Sequence, residues 1–133
     1  EASKPVMIAG AGVWHSGSEK ICEMLTRKLN LPLFTPFTHI KPMDMGNDLH
    51  LGLFDYHQNQ CSRLISEETD VFLMLGGQLD FPINFGEAPL ISPNTKLITV
   101  NPTARELSDN MLAEERICSG IFSFIESLLN EAP

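Results

Sequence analysis

The chain has 133 residues, 43% hydrophobic and 20% charged, which supports one compact core and is too little for two ordinary domains. Seventeen acidic residues against nine basic ones leave a net charge of -8. With no basic run anywhere, this argues against capture of a nucleic-acid backbone by bulk electrostatics.

No apolar stretch approaches the roughly 20 residues of a membrane span, and Glu1-Ala2-Ser3-Lys4 does not open an apolar signal segment. Cys22, Cys61 and Cys118 are odd in number and lack CxxC spacing. They read as reduced thiols of a cytoplasmic protein, not as a disulfide framework or a zinc site. The chain starts on Glu1, not Met, which points to excision from something longer.

Pro5-Val6-Met7-Ile8-Ala9 is apolar on both faces and ends in Gly10-Ala11-Gly12, the signature of a buried parallel strand. Ser16 and Glu19 have capping-box spacing and predict a helix start, with Ile21, Met24, Leu25 and Leu29 on its inner face. Asn30-Leu31-Pro32 stops that helix, and Leu33-Phe34-Thr35 is a second strand. Residues 36–54 contain Pro36, Pro42, Gly46 and Gly52 and read as a long loop.

A helix follows over 58–66, with Cys61, Leu64 and Ile65 at helical spacing. Asp70 to Leu75 is the clearest strand, ended by Gly76-Gly77. Residues 78–95 read as a loop with short helical pieces. Lys96 to Val100 is a strand ended by Asn101-Pro102, and 103–110 a short helix. Arg116-Ile117-Cys118 is a brief edge strand. Residues 119–130 form a helix capped by Ser119, with Ile121, Phe122, Ile125, Leu128 and Leu129 inward. Strands apolar on both faces, alternating with helices, predict an α/β domain over residues 1–133: a parallel sheet of five to six strands with helices on both faces.

In such sheets ligands bind outside the carboxyl ends of the strands. The candidate cofactor-binding residues are therefore Gly10 and Gly12, Gly76, Gly77 and Gln78, and Asn101, with the helix begun at Ser16 offering N–H groups to a phosphate. Gly10→Val is expected to abolish nucleotide binding there. The usual dinucleotide fingerprint is incomplete, since His15 stands where a third glycine belongs and the second strand ends without an acid. No catalytic residue is assigned. His15, His39, His50 and His57 lack metal-ligand spacing, so no metal site is assigned either. Cys22 and Cys61 read as core residues. Cys118 lies near a helix start, where a thiolate is favoured, which leaves a small hydrolase using Cys118 or Ser16 as a minor alternative. Trp14, Met43, Met45, Phe81 and Phe85 suggest a contact surface.

The ordered series resembles the central domain of thiamine-diphosphate-dependent enzymes related to acetolactate synthase, pyruvate decarboxylase and benzoylformate decarboxylase. Lys4 to Val13 is similar to that domain's opening strand and Gly-rich turn. Leu31 to Thr35 resembles its Pro-led second strand, and Leu49-His50-Leu51-Gly52 its His-Pro-Leu-x-x-Gly stretch. Glu68 to Phe81 resembles Ala-Asp-Leu-Val-Leu-x-Leu-Gly-x-Arg-Phe-Asp, and Lys96 to Thr103 the strand ending in Asp-x-Asp-Pro.

The resemblance implies a Rossmann-like, six-stranded, non-catalytic domain between a pyrimidine-binding and a diphosphate-binding domain of an oligomeric enzyme acting on 2-oxo acids. It implies thiamine diphosphate and Mg²⁺ in the parent enzyme, held by the outer domains. FAD or ADP would be the ligand of the central domain where it has one. Gln78-Leu79 replaces the Arg-Phe of flavin-binding members, and Asn101 replaces an acid. The first change removes a phosphate partner that binds bidentately, and the second removes an acceptor for a ribose or adenine, although an amide still hydrogen-bonds adenine. The alternative is a free-standing nucleotide-binding or regulatory module.

Overall fold

The computed structural model describes residues 1–36 and 46–133, with Phe81 and Pro82 as backbone only. The strands are β1 (Pro5–Ala9), β2 (Leu33–Thr35), β3 (His50–Leu53), β4 (Val71–Leu75), β5 (Lys96–Asn101) and β6 (Glu115–Cys118). The helices are α1 (Ala11–His15), α2 (Glu19–Leu29), α3 (Gln60–Glu68), α4 (Ala104–Ser108) and α5 (Ile121–Glu131). All six strands form one sheet in the order β3-β2-β1-β4-β5-β6, and every neighbouring pair is parallel. The chain thus builds outward from β1 to β3, then crosses back and builds the other way from β4. The reversal lies between β1 and β4.

Period-two alternation divides the core. Val6, Ile8, Phe72, Met74 and Leu97 face one layer with Phe34 and Phe54. Met7, Ala9, Leu33, Leu75 and Val100 face the other, with Cys22 and Leu25 of α2 and Ile121 and Ile125 of α5. Ile65 of α3 packs on the first layer, so helices cover both faces, as expected. The segment read as a loop over 78–95 also supplies Leu79, Ile83, Leu90 and Ile91 to that layer.

Several helix faces depart in part from the expected ones. In α2 the buried residues are Cys22, Leu25 and Thr26, while Met24 is 60% exposed. In α5 Phe124 packs on the core and Phe122 is exposed. In α3 Ser62 and Ser66 are buried, whereas Cys61 and Leu64 face outward. Hydrophobicity ranking misleads in α3 because the helix docks through polar contacts. Ser62 Oγ donates to Leu53 O and accepts from Asp55 N, both at 3.0 Å. The N-cap Asn59 accepts from Cys61 N and donates to Leu51 O and Leu53 O.

The caps differ too. The Ser16–Glu19 box does not form. Ser16 Oγ donates to Gly12 O at 2.6 Å, and Ser18 is the N-cap of α2. Gly120, not Ser119, precedes α5. Asn30 ends α2 in the left-handed conformation, as the Asn-Leu-Pro stop requires. The sequence reading missed β3 because Gly52, at φ +88, and a register shift against β2 interrupt any apolar pattern.

His50 at the start of β3 is half-buried, and burial lowers its pKa from the ordinary 6.5 against the opposing pull of Glu23. Its native form therefore holds fewer protons than the unfolded chain just below pH 6.5, so its contribution to stability is present above that value and is lost as pH falls. Denaturation midpoints measured at pH 7 and pH 5 should drop less for His50→Gln than for the unaltered protein. Equal drops would remove His50 from the pH response.

Candidate functional site

Beyond the carboxyl ends of β1 and β4 lies a cleft of about 190 Å³. This is the point where the strand order reverses, the usual place for a ligand in open α/β sheets. Gly10, Gly12, Gly76, Gly77, Gln78 and Asn101, all singled out from sequence, line it together. His15, Asp80 and Glu106 line it as well and were not assigned to it. A signal for Glu106 was present: Thr103-x-x-Glu106 follows the fifth strand and forms the capping box of α4.

The glycines are accounted for by one another. A Cβ on Gly10 would lie 2.6 Å from Gly77 Cα, and one on Gly12 would lie 2.7 Å from Gly76 Cα. Gly76 itself has φ +63, which favours glycine. Gly10 N donates to Leu75 O at 2.8 Å and Gly12 N to Gly76 O at 2.9 Å. The two strand ends are therefore joined backbone to backbone. Loss of binding in Gly10→Val consequently cannot distinguish a ligand contact from a collapsed joint.

Asn101 is 2% exposed. Its Nδ2 donates to Gly77 O at 3.2 Å, and its Oδ1 accepts from Asn110 Nδ2 at 3.2 Å. Asn110 is wholly buried, also donates to Gly77 O, and accepts from Leu79 N at 2.8 Å. These two amides hold the turn after β4. Asn110 left no mark in the sequence because its partners lie 9 to 33 residues away.

The remaining candidates do not converge. His15 is at the cleft, His50 on the edge strand, and His57 is exposed beside Tyr56, while His39, Met43 and Met45 lie outside the described residues. Among the described residues no group of three His, Cys, Asp or Glu side chains could hold a metal ion. All three cysteines are free. Cys22 is core, and burial with nearby Glu23 and Glu19 pushes its thiol up to about 12. Cys61 is exposed, not core as expected, and the exposed Cys118 points its Sγ at Pro102 O. Trp14 packs against the second core layer, and Phe85 is exposed. No described helix is long and apolar enough to cross a membrane.

A six-stranded parallel sheet in this order, with a glycine-flanked cleft at its reversal point, defines a Rossmann-like α/β domain. The chain belongs to the family described as "Thiamine pyrophosphate enzyme, central domain", whose model matches residues 1–128. It is 24% identical over 128 residues to the acetolactate synthase large subunit of Lactococcus lactis subsp. lactis (strain IL1403), covering 96% of this chain and 22% of that protein. It is 25% identical over 130 residues to human 2-hydroxyacyl-CoA lyase 1, covering 98% and 21% respectively. The benzoylformate decarboxylase of Polynucleobacter necessarius superposes with a TM-score of 0.74 at 16% identity, covering 97% of this chain and 24% of that one. The chain thus spans about a fifth of the length of the curated relatives it matches.

The described lining of the cleft does not fit a diphosphate-bearing group. A diphosphate needs cationic side chains, a metal or unengaged N–H groups. The cleft is lined by Asp80 and Glu106, with His15 as the only basic side chain among the described lining residues. Two amides of its Gly-rich turn are already engaged by β4 and the residue after it.

Proposed function

We propose that this chain is the non-catalytic central domain of a thiamine-diphosphate-dependent enzyme acting on 2-oxo acids, acetolactate synthase-like or a decarboxylase. Its work is architectural: it holds a rigid parallel sheet between a pyrimidine-binding and a diphosphate-binding domain. Thiamine diphosphate and Mg²⁺ belong to those domains, in a cytoplasmic homo-oligomer. The observation that carries the architectural part of this reading is that the Gly10 and Gly12 amides and the Asn101 side chain, all at the strand ends, are engaged within the domain. Family membership and the relatives' names support the parent's chemistry.

An adenine nucleotide, FAD or ADP, in the cleft is the second reading. The cleft's place at the reversal point favours it, and the lining argues against it.

The native polypeptide is expected to exceed 14.8 kDa several-fold and to turn over a 2-oxo acid only with added thiamine diphosphate. Intact mass and a cofactor-dependence assay check both. A native chain of 133 residues would instead favour the free-standing module.

A further inference from the structure

We infer that the cleft at the reversal point is a structural joint that does not take diphosphate-bearing nucleotides. Three independent features of the lining agree. The N–H groups of Gly10 and Gly12, which a Gly-rich turn would aim at a diphosphate, donate instead to Leu75 O and Gly76 O. The Asn101 amide, the polar side chain at the end of β5, is closed by Gly77 O and Asn110. Glu106 adds a carboxylate to the lining, anchored there because its Oε2 accepts from both Thr103 N and Thr103 Oγ1. A negative ligand would meet that charge with no lysine or arginine among the described lining residues.

This inference extends the architectural reading but does not depend on the parent's reaction. Its failure would leave the thiamine-enzyme assignment standing.

The test uses the protein at its native length, with thiamine diphosphate in excess so that a diphosphate site elsewhere does not register. ADP and FAD are titrated by calorimetry. The unaltered protein should show no saturable heat up to about 1 mM of either nucleotide. The double variant Gln78→Arg/Glu106→Gln supplies a guanidinium and removes the charge, while a glutamine can still serve the capping box. It should bind ADP at least about tenfold more tightly than the unaltered protein. Saturable binding of ADP or FAD by the unaltered protein anywhere up to about 1 mM would overturn the inference. So would a double variant that folds, by circular dichroism, yet gains no affinity.

Discussion

Gly76→Ala is expected to destabilise the domain by about 2–5 kcal/mol, a large part of the 5–15 kcal/mol that holds a typical domain together. Two causes add. The residue sits at φ +63, which costs a side-chain-bearing residue roughly 1–2 kcal/mol. The new Cβ would also lie 2.5 Å from Gly12 Cα. Backbone cannot yield as a flexible side chain can, so overpacking adds about 1–3 kcal/mol. Gly17→Ala separates the two, because Gly17 has the same φ +63 and nothing within 4 Å of where its Cβ would stand. It should lose only the conformational part. Chemical denaturation of both variants checks this; equal losses would show that the β1–β4 joint is not tightly closed.

Phe54→Ala should cost about 3–5 kcal/mol, the range for deleting a buried aromatic ring. Phe54 is fully buried, and its ring meets Phe34 and Phe72 edge-on, each at a centroid distance of 5.2 Å. It bridges β2 and β4 from the stretch after β3, so its loss opens a cavity in the first core layer. Phe54→Leu keeps much of the volume and should cost roughly 1–2 kcal/mol. A loss under about 1 kcal/mol for Phe54→Ala would mean that the layer collapses around the gap.

The fold was largely legible. Apolar runs ending in glycine located β1 and β4, and the run ending at Asn101-Pro102 located β5. Alternation with helical periods set the parallel sheet. Asn30 and Pro32 ended α2 where expected. Even the brief Arg116–Cys118 run proved to be the edge strand β6. What failed had physical causes. Short edge strands such as β3 lack a buried pattern of their own. The inner face of α3 is polar because it satisfies Leu53 O and Asp55 N. In α2 and α5 the departure from the expected inner face is confined to Met24, which is exposed, and to Phe122, which is exposed while Phe124 packs on the core.

The candidate site was legible as a set of positions, not as a chemistry. All six residues chosen from strand ends meet at one cleft. Gly-Ala-Gly and Gly-Gly permit a close approach, but their sequence does not say whether ligand or neighbouring backbone makes it.

Local order in this protein is determined by the chain itself, through side chains two to four residues apart: strand runs, helix periods and turn residues. Which strand ends meet, which face of each helix turns inward, and how Asn110 locks the turn after β4 were decided only by tertiary packing. The reason is range. Gly12 and Gly76 are brought together by a crossover through two other strands, and no short pattern can encode a contact that exists only once the sheet has closed.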